Sequence, residues 1–123
     1  METFVITLSA KPGAEDKVAD FYVSQQAEYD NADGFISRQL LKAKTGTMLE
    51  AVKQRYTAEE LAKHPEQGHS HDEPATHFII IEQWESVDKR MEFSQSRDKG
   101  PERELFPNLM PDHTHEFYTD ITP

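Results

Sequence analysis

The stretch from Thr76 to Ser86 reads Thr-His-Phe-Ile-Ile-Ile-Glu-Gln-Trp-Glu-Ser, and it constrains the fold more than any other part of the chain. A β-branched and aromatic run hands over at a serine to a charged helical segment, Val87 to about Lys99. In a strand over 77–84, Phe78, Ile80 and Trp84 fall on one face and Ile79 and Ile81 on the other. A strand that is apolar on both faces needs cover on both. Helices supply one cover. The other calls for a partner, because monomers rarely expose apolar patches of several hundred Å².

The remaining segments fit around that strand. Thr3 to Ala10 alternates, with Phe4, Ile6 and Leu8 on one side, as a half-buried strand does. Lys11-Pro12-Gly13 breaks it. From Ala14 to Ala32, Val18, Phe21, Tyr22, Gln25 and Tyr29 recur at helical spacing, with Glu15 and Asp16 in the first turn. Asp33-Gly34 turns the chain into a second strand, Phe35 to Lys42, where Ile36, Arg38 and Leu40 are expected to share a face. An insert follows over about 45–75. Met48, Leu49, Val52 and Tyr56 make a helical stripe, and Thr57-Ala58-Glu59-Glu60 reads as a capping box for a short helix through Lys63. Residues 66–74 read as a polar loop. After the helix over 87–99, Gly100-Pro101 is expected to end it, and the last strand runs from His113 to Ile121. The order is β-α-β-(insert)-β-α-β, an α+β, ferredoxin-like arrangement with an antiparallel sheet. All 123 residues form one domain.

A net charge of −10 argues against nucleic acid and anionic membrane surfaces as partners. No apolar run reaches the ~20 residues of a membrane span. The absence of cysteine excludes disulfides and thiolate chemistry, which is compatible with a cytoplasmic location. Gly-rich phosphate loops, G-x-S-x-G and H-E-x-x-H are all missing.

The Thr76–Ser86 segment, taken with Lys11-Pro12-Gly13 and Asp33-Gly34-Phe35, resembles the antibiotic biosynthesis monooxygenase (ABM) domain of the dimeric α+β barrels. The resemblance covers most of the chain. It implies a homodimer in which two sheets pack face to face, with a pocket between sheet and helices in each subunit. It also implies oxidation of a small aromatic or quinol-like molecule without metal, flavin or haem, so no cofactor is expected. In such chemistry the substrate anion itself supplies electrons to oxygen. One branch of the family degrades haem through an asparagine, a tryptophan and a histidine. Those positions fall at Ile6 or Thr7, Phe93 and Arg103 here, so that activity is not expected.

Six residues are candidates for the pocket: Trp84, Tyr22, Arg38, Glu82, His77 and Tyr118. Trp84, the only tryptophan, either packs in the core or stacks on an aromatic ligand. Arg38 lies among apolar neighbours and needs an anion, with Glu82 as the expected structural partner. His69 and His71, two apart in a His-Asp-Glu loop, and His113 and His115 on the last strand are alternatives for a metal, although none is expected. A second reading competes with the enzyme. No base-plus-orienter cluster is visible, so the chain can equally be a non-catalytic dimeric module that binds a small ligand or assembles.

Overall fold

The computed structural model describes residues 1–63 and 74–123. Four strands form one antiparallel sheet in the order β2-β3-β1-β4, where β1 is Glu2–Ala10, β2 Phe35–Lys42, β3 Thr76–Trp84 and β4 Thr114–Tyr118. That is the ferredoxin-like order expected from the element sequence. The helices are α1 (Glu15–Ser24), α2 (Gln26–Asp30), α3 (Thr47–Arg55), α4 (Ala58–Ala62), α5 (Val87–Ser96) and α6 (Gly100–Leu105), with a 3-10 turn at Phe106–Asn108.

Alternation along the two central strands divides the sheet. Phe4, Ile6, Leu8 and Ala10 of β1 and Phe78, Ile80, Glu82 and Trp84 of β3 are buried on the helix side. Val5, Ile79 and Ile81 are only half-buried on the opposite, open face. Leu41 and Tyr118 share that face, with about half their surface exposed. The centre of the open face is therefore apolar, as the double-sided pattern of β3 requires.

Several expected boundaries shift for local reasons. The helix anticipated over 14–32 is interrupted at Gln25, whose N–H bonds Tyr22 O while its own carbonyl starts the next turn by accepting from Glu28 and Tyr29. β2 carries a bulge between Phe35 and Ser37. The extra residue brings Phe35 and Arg38 to the helix side together, and Ile36 is exposed instead of sharing Arg38's face. The capping box at Thr57 forms as expected. Of the insert's apolar stripe only Val52 is buried, and Met48, Leu49 and Tyr56 stay exposed. Ser86 caps α5 by accepting from Lys89 N–H. That helix ends at Ser96, and Gly100-Pro101 begins α6 instead of closing α5, because proline suits a first helical turn. β4 is shorter than expected, Thr114–Tyr118.

Gly34 sits at φ +86°, and a Cβ there would lie 2.6 Å from the Lys89 side chain. The glycine lets the β2 entry press against α5, where Asp33 also pairs with Lys89.

At the centre of the helix-side core lies a carboxylate. Glu82 is fully buried. Its Oε1 accepts from Arg90 Nε and from Trp84 Nε1, each at 2.7 Å, and its Oε2 accepts from Tyr29 O–H at 3.1 Å. Tyr29, Phe35, Trp84 and Phe93 pack around it with ring centroids 4.7–6.2 Å apart. The expected partner of Glu82 was Arg38. Arg90 takes that place because its Nε reaches Glu82 from α5, above the sheet. Arg38, although opposite Glu82 in the β2–β3 register, lays its guanidinium 4.1 Å from the centre of the Tyr29 ring and donates to Gln26 Oε1 at 3.3 Å.

Removing one member of a buried ion pair strands the other's charge. Glu82→Gln is expected to destabilise by about 3 kcal/mol, and Glu82→Met with Arg90→Met by less than the sum of the two single changes. Denaturant melts of the wild type, Glu82→Gln, the two single Met variants and their double measure this. Additive losses would mean that the pair is not coupled.

Candidate functional site

Between the sheet and the helices lies a cavity of about 150 Å³. Its floor is Ile6 and Leu8 of β1. Phe21 and Tyr22 of α1, Leu105 at the end of α6, and Phe106 and Leu109 beyond it supply further apolar walls. The polar groups around it are Gln25, Tyr29, Arg90, Arg97, Glu102, His113 and His115.

Each of these arrives through a local feature of the fold. Alternation on β4 puts His115 opposite Ile6, hence on the helix side, and His113 stands two residues earlier with its ring centroid 5.6 Å from that of His115. The interruption between α1 and α2 places Gln25. Arg90 leaves the buried face of α5, stacked 4.6 Å from the Phe4 ring centre. Arg97 follows the end of α5, lies 4.8 Å from the Phe93 ring centre, and pairs with Glu28 at 3.2 Å and Glu102 at 4.0 Å.

Several of these polar groups are incompletely used. Arg90 spends Nε on Glu82 and Nη1 on Ser94, and its Nη2 has no partner among the described residues. Among the described residues Arg97 likewise donates through Nε and Nη1 only. Gln25 is 7% exposed, and its side-chain amide has no hydrogen-bond partner among the described residues. The free groups of Gln25, Arg90 and Arg97 are not among the buried unpaired atoms, so they are open to water at the cavity, where an oxygen of a guest can replace that water.

Titration behaviour follows from the same surroundings. Burial, then the neighbouring His113 and Arg90, lower the His115 pKa below its ordinary 6.5. More than a third of the residue stays accessible at the cavity mouth, so the desolvation is partial. At neutral pH the imidazole is uncharged and can accept a proton. Because folding depresses this pKa, the unfolded chain binds the proton more readily. The His115 contribution to stability is therefore present above about pH 6.5 and is lost as pH falls through the folded pKa. Burial raises the Tyr22 and Tyr29 hydroxyls, the latter to about 12, so both remain protonated donors at neutral pH.

The six candidates from the sequence separate. Tyr22 lines the cavity. Trp84 is fully buried in the core, and Glu82 lies behind the wall, holding Arg90. Arg38 is stacked on Tyr29, with its Nε and Nη2 buried and unpaired among the described residues, and it does not line this cavity; burial lowers its pKa. His77, bonded to Ser9 Oγ at 3.1 Å, and Tyr118 belong to the open sheet face. His69 and His71 lie outside the described residues. Among those described, no group of three His, Asp or Glu is placed to hold a metal ion, and no helix is long and apolar enough to cross a membrane. Sequence reading missed Gln25, Arg90 and Arg97. A glutamine inside an apolar helical stripe was the available signal for the first, and the spacing of Arg90 from the buried Phe93 the signal for the second.

No family model matches the chain, and no curated protein matches it. Solved structures do. A variant of SnoaB, a cofactor-independent oxygenase from Streptomyces nogalater, superposes with a TM-score of 0.63 at 14% identity, over 99% of this chain and 94% of that one. A provisionally assigned antibiotic biosynthesis monooxygenase from Nitrosomonas europaea gives 0.66 at 10% identity, over 99% and 100%. Another antibiotic biosynthesis monooxygenase gives 0.63 at 13%, over 99% and 100%. The shared property is the fold: this chain has the ferredoxin-like α+β architecture of these proteins.

Core placement of Trp84 has a measurable consequence. Trp84→Phe leaves a void and removes one donor to Glu82, so it should cost roughly 2–3 kcal/mol. The native emission should resist acrylamide. Ready quenching would put the ring at an accessible wall.

Proposed function

We propose that this chain, built on the fold of the antibiotic biosynthesis monooxygenases, is a cofactor-independent monooxygenase for a small phenolic or quinol-like molecule. One observation carries the reading. An apolar-walled cavity of ring size is lined both by an uncharged imidazole, His115, and by two guanidinium groups with unused N–H donors, Arg90 and Arg97. The likeness to a cofactor-independent oxygenase supports it at the level of fold.

The roles follow from the chemistry. His115 takes the phenolic proton, and Arg90 and Arg97 stabilise the resulting oxyanion in a site of reduced water access. The electron-rich phenolate passes one electron to O2. The phenoxyl radical and superoxide then combine, forming a C–O bond at a ring carbon beside the oxygen. The imidazolium returns its proton to give a hydroperoxide. Loss of water breaks the O–O bond and, with departure of the ring C–H proton, leaves a new carbonyl. One oxygen atom ends in the product and one in water. The substrate supplies all four electrons, so no external reductant enters the balance.

The biological unit in this proposal is a homodimer, with a second copy covering Val5, Leu41, Ile79 and Ile81 on the open sheet face. Sedimentation at micromolar concentration should give twice the monomer mass, and a strictly monomeric profile would remove the barrel.

Oxygen uptake with a panel of hydroquinones tests the activity. The rate should fall as pH drops through an inflection below 6.5, because protonated His115 cannot act as base. In His115→Asn that acid limb should vanish and the rate fall by about 100-fold or more. No uptake with any member of the panel would leave a non-catalytic ligand-binding module.

A further inference from the structure

We infer that Gln25 is a specificity-determining residue and that the cavity takes a ligand of one aromatic ring with two oxygen substituents, the second of them held by the Gln25 amide. This rests on the reading that the cavity binds a phenolic ligand, and it narrows that class.

Gln25 is 7% exposed, lines the cavity, and has no side-chain hydrogen bond among the described residues. Its position is fixed by the backbone: its N–H bonds Tyr22 O, and its carbonyl accepts from Glu28 and Tyr29. An amide carries both donors and an acceptor, so it can receive a hydroxyl or a carbonyl oxygen equally well. A ligand that cycles between phenol and carbonyl needs a partner of that kind at the end that His115 does not serve. A buried polar group built to meet an oxygen also penalises any ligand lacking it, because the amide then stays unsatisfied.

Size bears on the guest as well. The space of about 150 Å³ matches in volume a cavity that takes up one benzene ring. Tyr22 walls this cavity off from a second, apolar one of about 140 Å³, lined also by Ala19, Leu40, Phe78 and Ile80. With Tyr22 in place each space has room for one ring. His115 and Gln25 both line this one cavity.

Calorimetric titration without oxygen tests this apart from turnover. Hydroquinone should bind at least about tenfold more tightly than 4-methylphenol, which replaces one hydroxyl by a methyl group of similar size. In Gln25→Met that preference should shrink to roughly threefold or less. 1,4-Naphthohydroquinone should show no binding at concentrations that saturate hydroquinone. Gln25→Glu keeps the shape and loses the N–H donor, so it should weaken 4-methoxyphenol, whose second oxygen only accepts, by about tenfold. That arm carries the test if Gln25→Met does not fold. An undiminished preference in Gln25→Met, undiminished 4-methoxyphenol binding in Gln25→Glu, or binding of the two-ring ligand would overturn the inference. The binding pattern without oxygen uptake would sink the oxygenase reading alone. Uptake without the binding pattern would sink this inference alone.

Discussion

The contact on which the rest of the structure depends is the carboxylate of Glu82, sunk in the helix-side core and shared by Arg90, Trp84 and Tyr29. Three elements meet there: β3 supplies Glu82 and Trp84, α5 supplies Arg90, and α2 supplies Tyr29. A buried carboxylate is costly to desolvate, so its three donors are a condition of its being there. The same bonds orient what faces the cavity. Arg90 can present Nη2 because Glu82 and Ser94 hold the other guanidinium nitrogens. Tyr29 in turn offers its ring to Arg38 and its hydroxyl to Arg97 Nη1 at 3.4 Å. The ion pair and the cavity wall are one continuous network, in which Glu82 holds the Arg90 guanidinium from behind the wall.

The sheet divides labour between its faces. The helix side carries the core and the cavity, and the open side carries a half-buried apolar centre with polar residues around it. Alternation on β1 and β3 enforces this, since adjacent residues point to opposite faces. His115 and Tyr118 show how much turns on register: both are on β4, yet His115 pairs opposite Ile6 and Tyr118 opposite Thr3, which puts them on opposite sides of the sheet.

Much of this architecture was legible in the sequence because periodicity is local. The two-faced strand around Ile80, the strand–helix handover at Ser86 and the capping box at Thr57 are all short-range signals, and they led to the right topology. The site was less legible. Tyr22 lines the cavity because an aromatic on an amphipathic helix face points inward. Arg38 was misassigned because a one-residue bulge cannot be read from alternation, and because Arg90, eight residues beyond Glu82 in the chain, reaches the same carboxylate from above the sheet. His113 and His115 were weighed only for metal. Nothing in a single sequence says that α6 and the turn after it close a cavity over that end of β4. Arg97 fell inside the helix expected over 87–99, but that helix ends at Ser96, so helical spacing could not place it.

If the cavity hosts chemistry that needs only substrate and O2, the fate of the two oxygen atoms distinguishes it from simple electron transfer. Turnover of hydroquinone under 18O2, followed by mass spectrometry of the quinone product with a parallel peroxide assay, is the most direct test. The account predicts one labelled oxygen atom per product molecule and no hydrogen peroxide. Unlabelled quinone with stoichiometric peroxide would contradict it, because the protein would then be promoting two-electron oxidation without inserting oxygen.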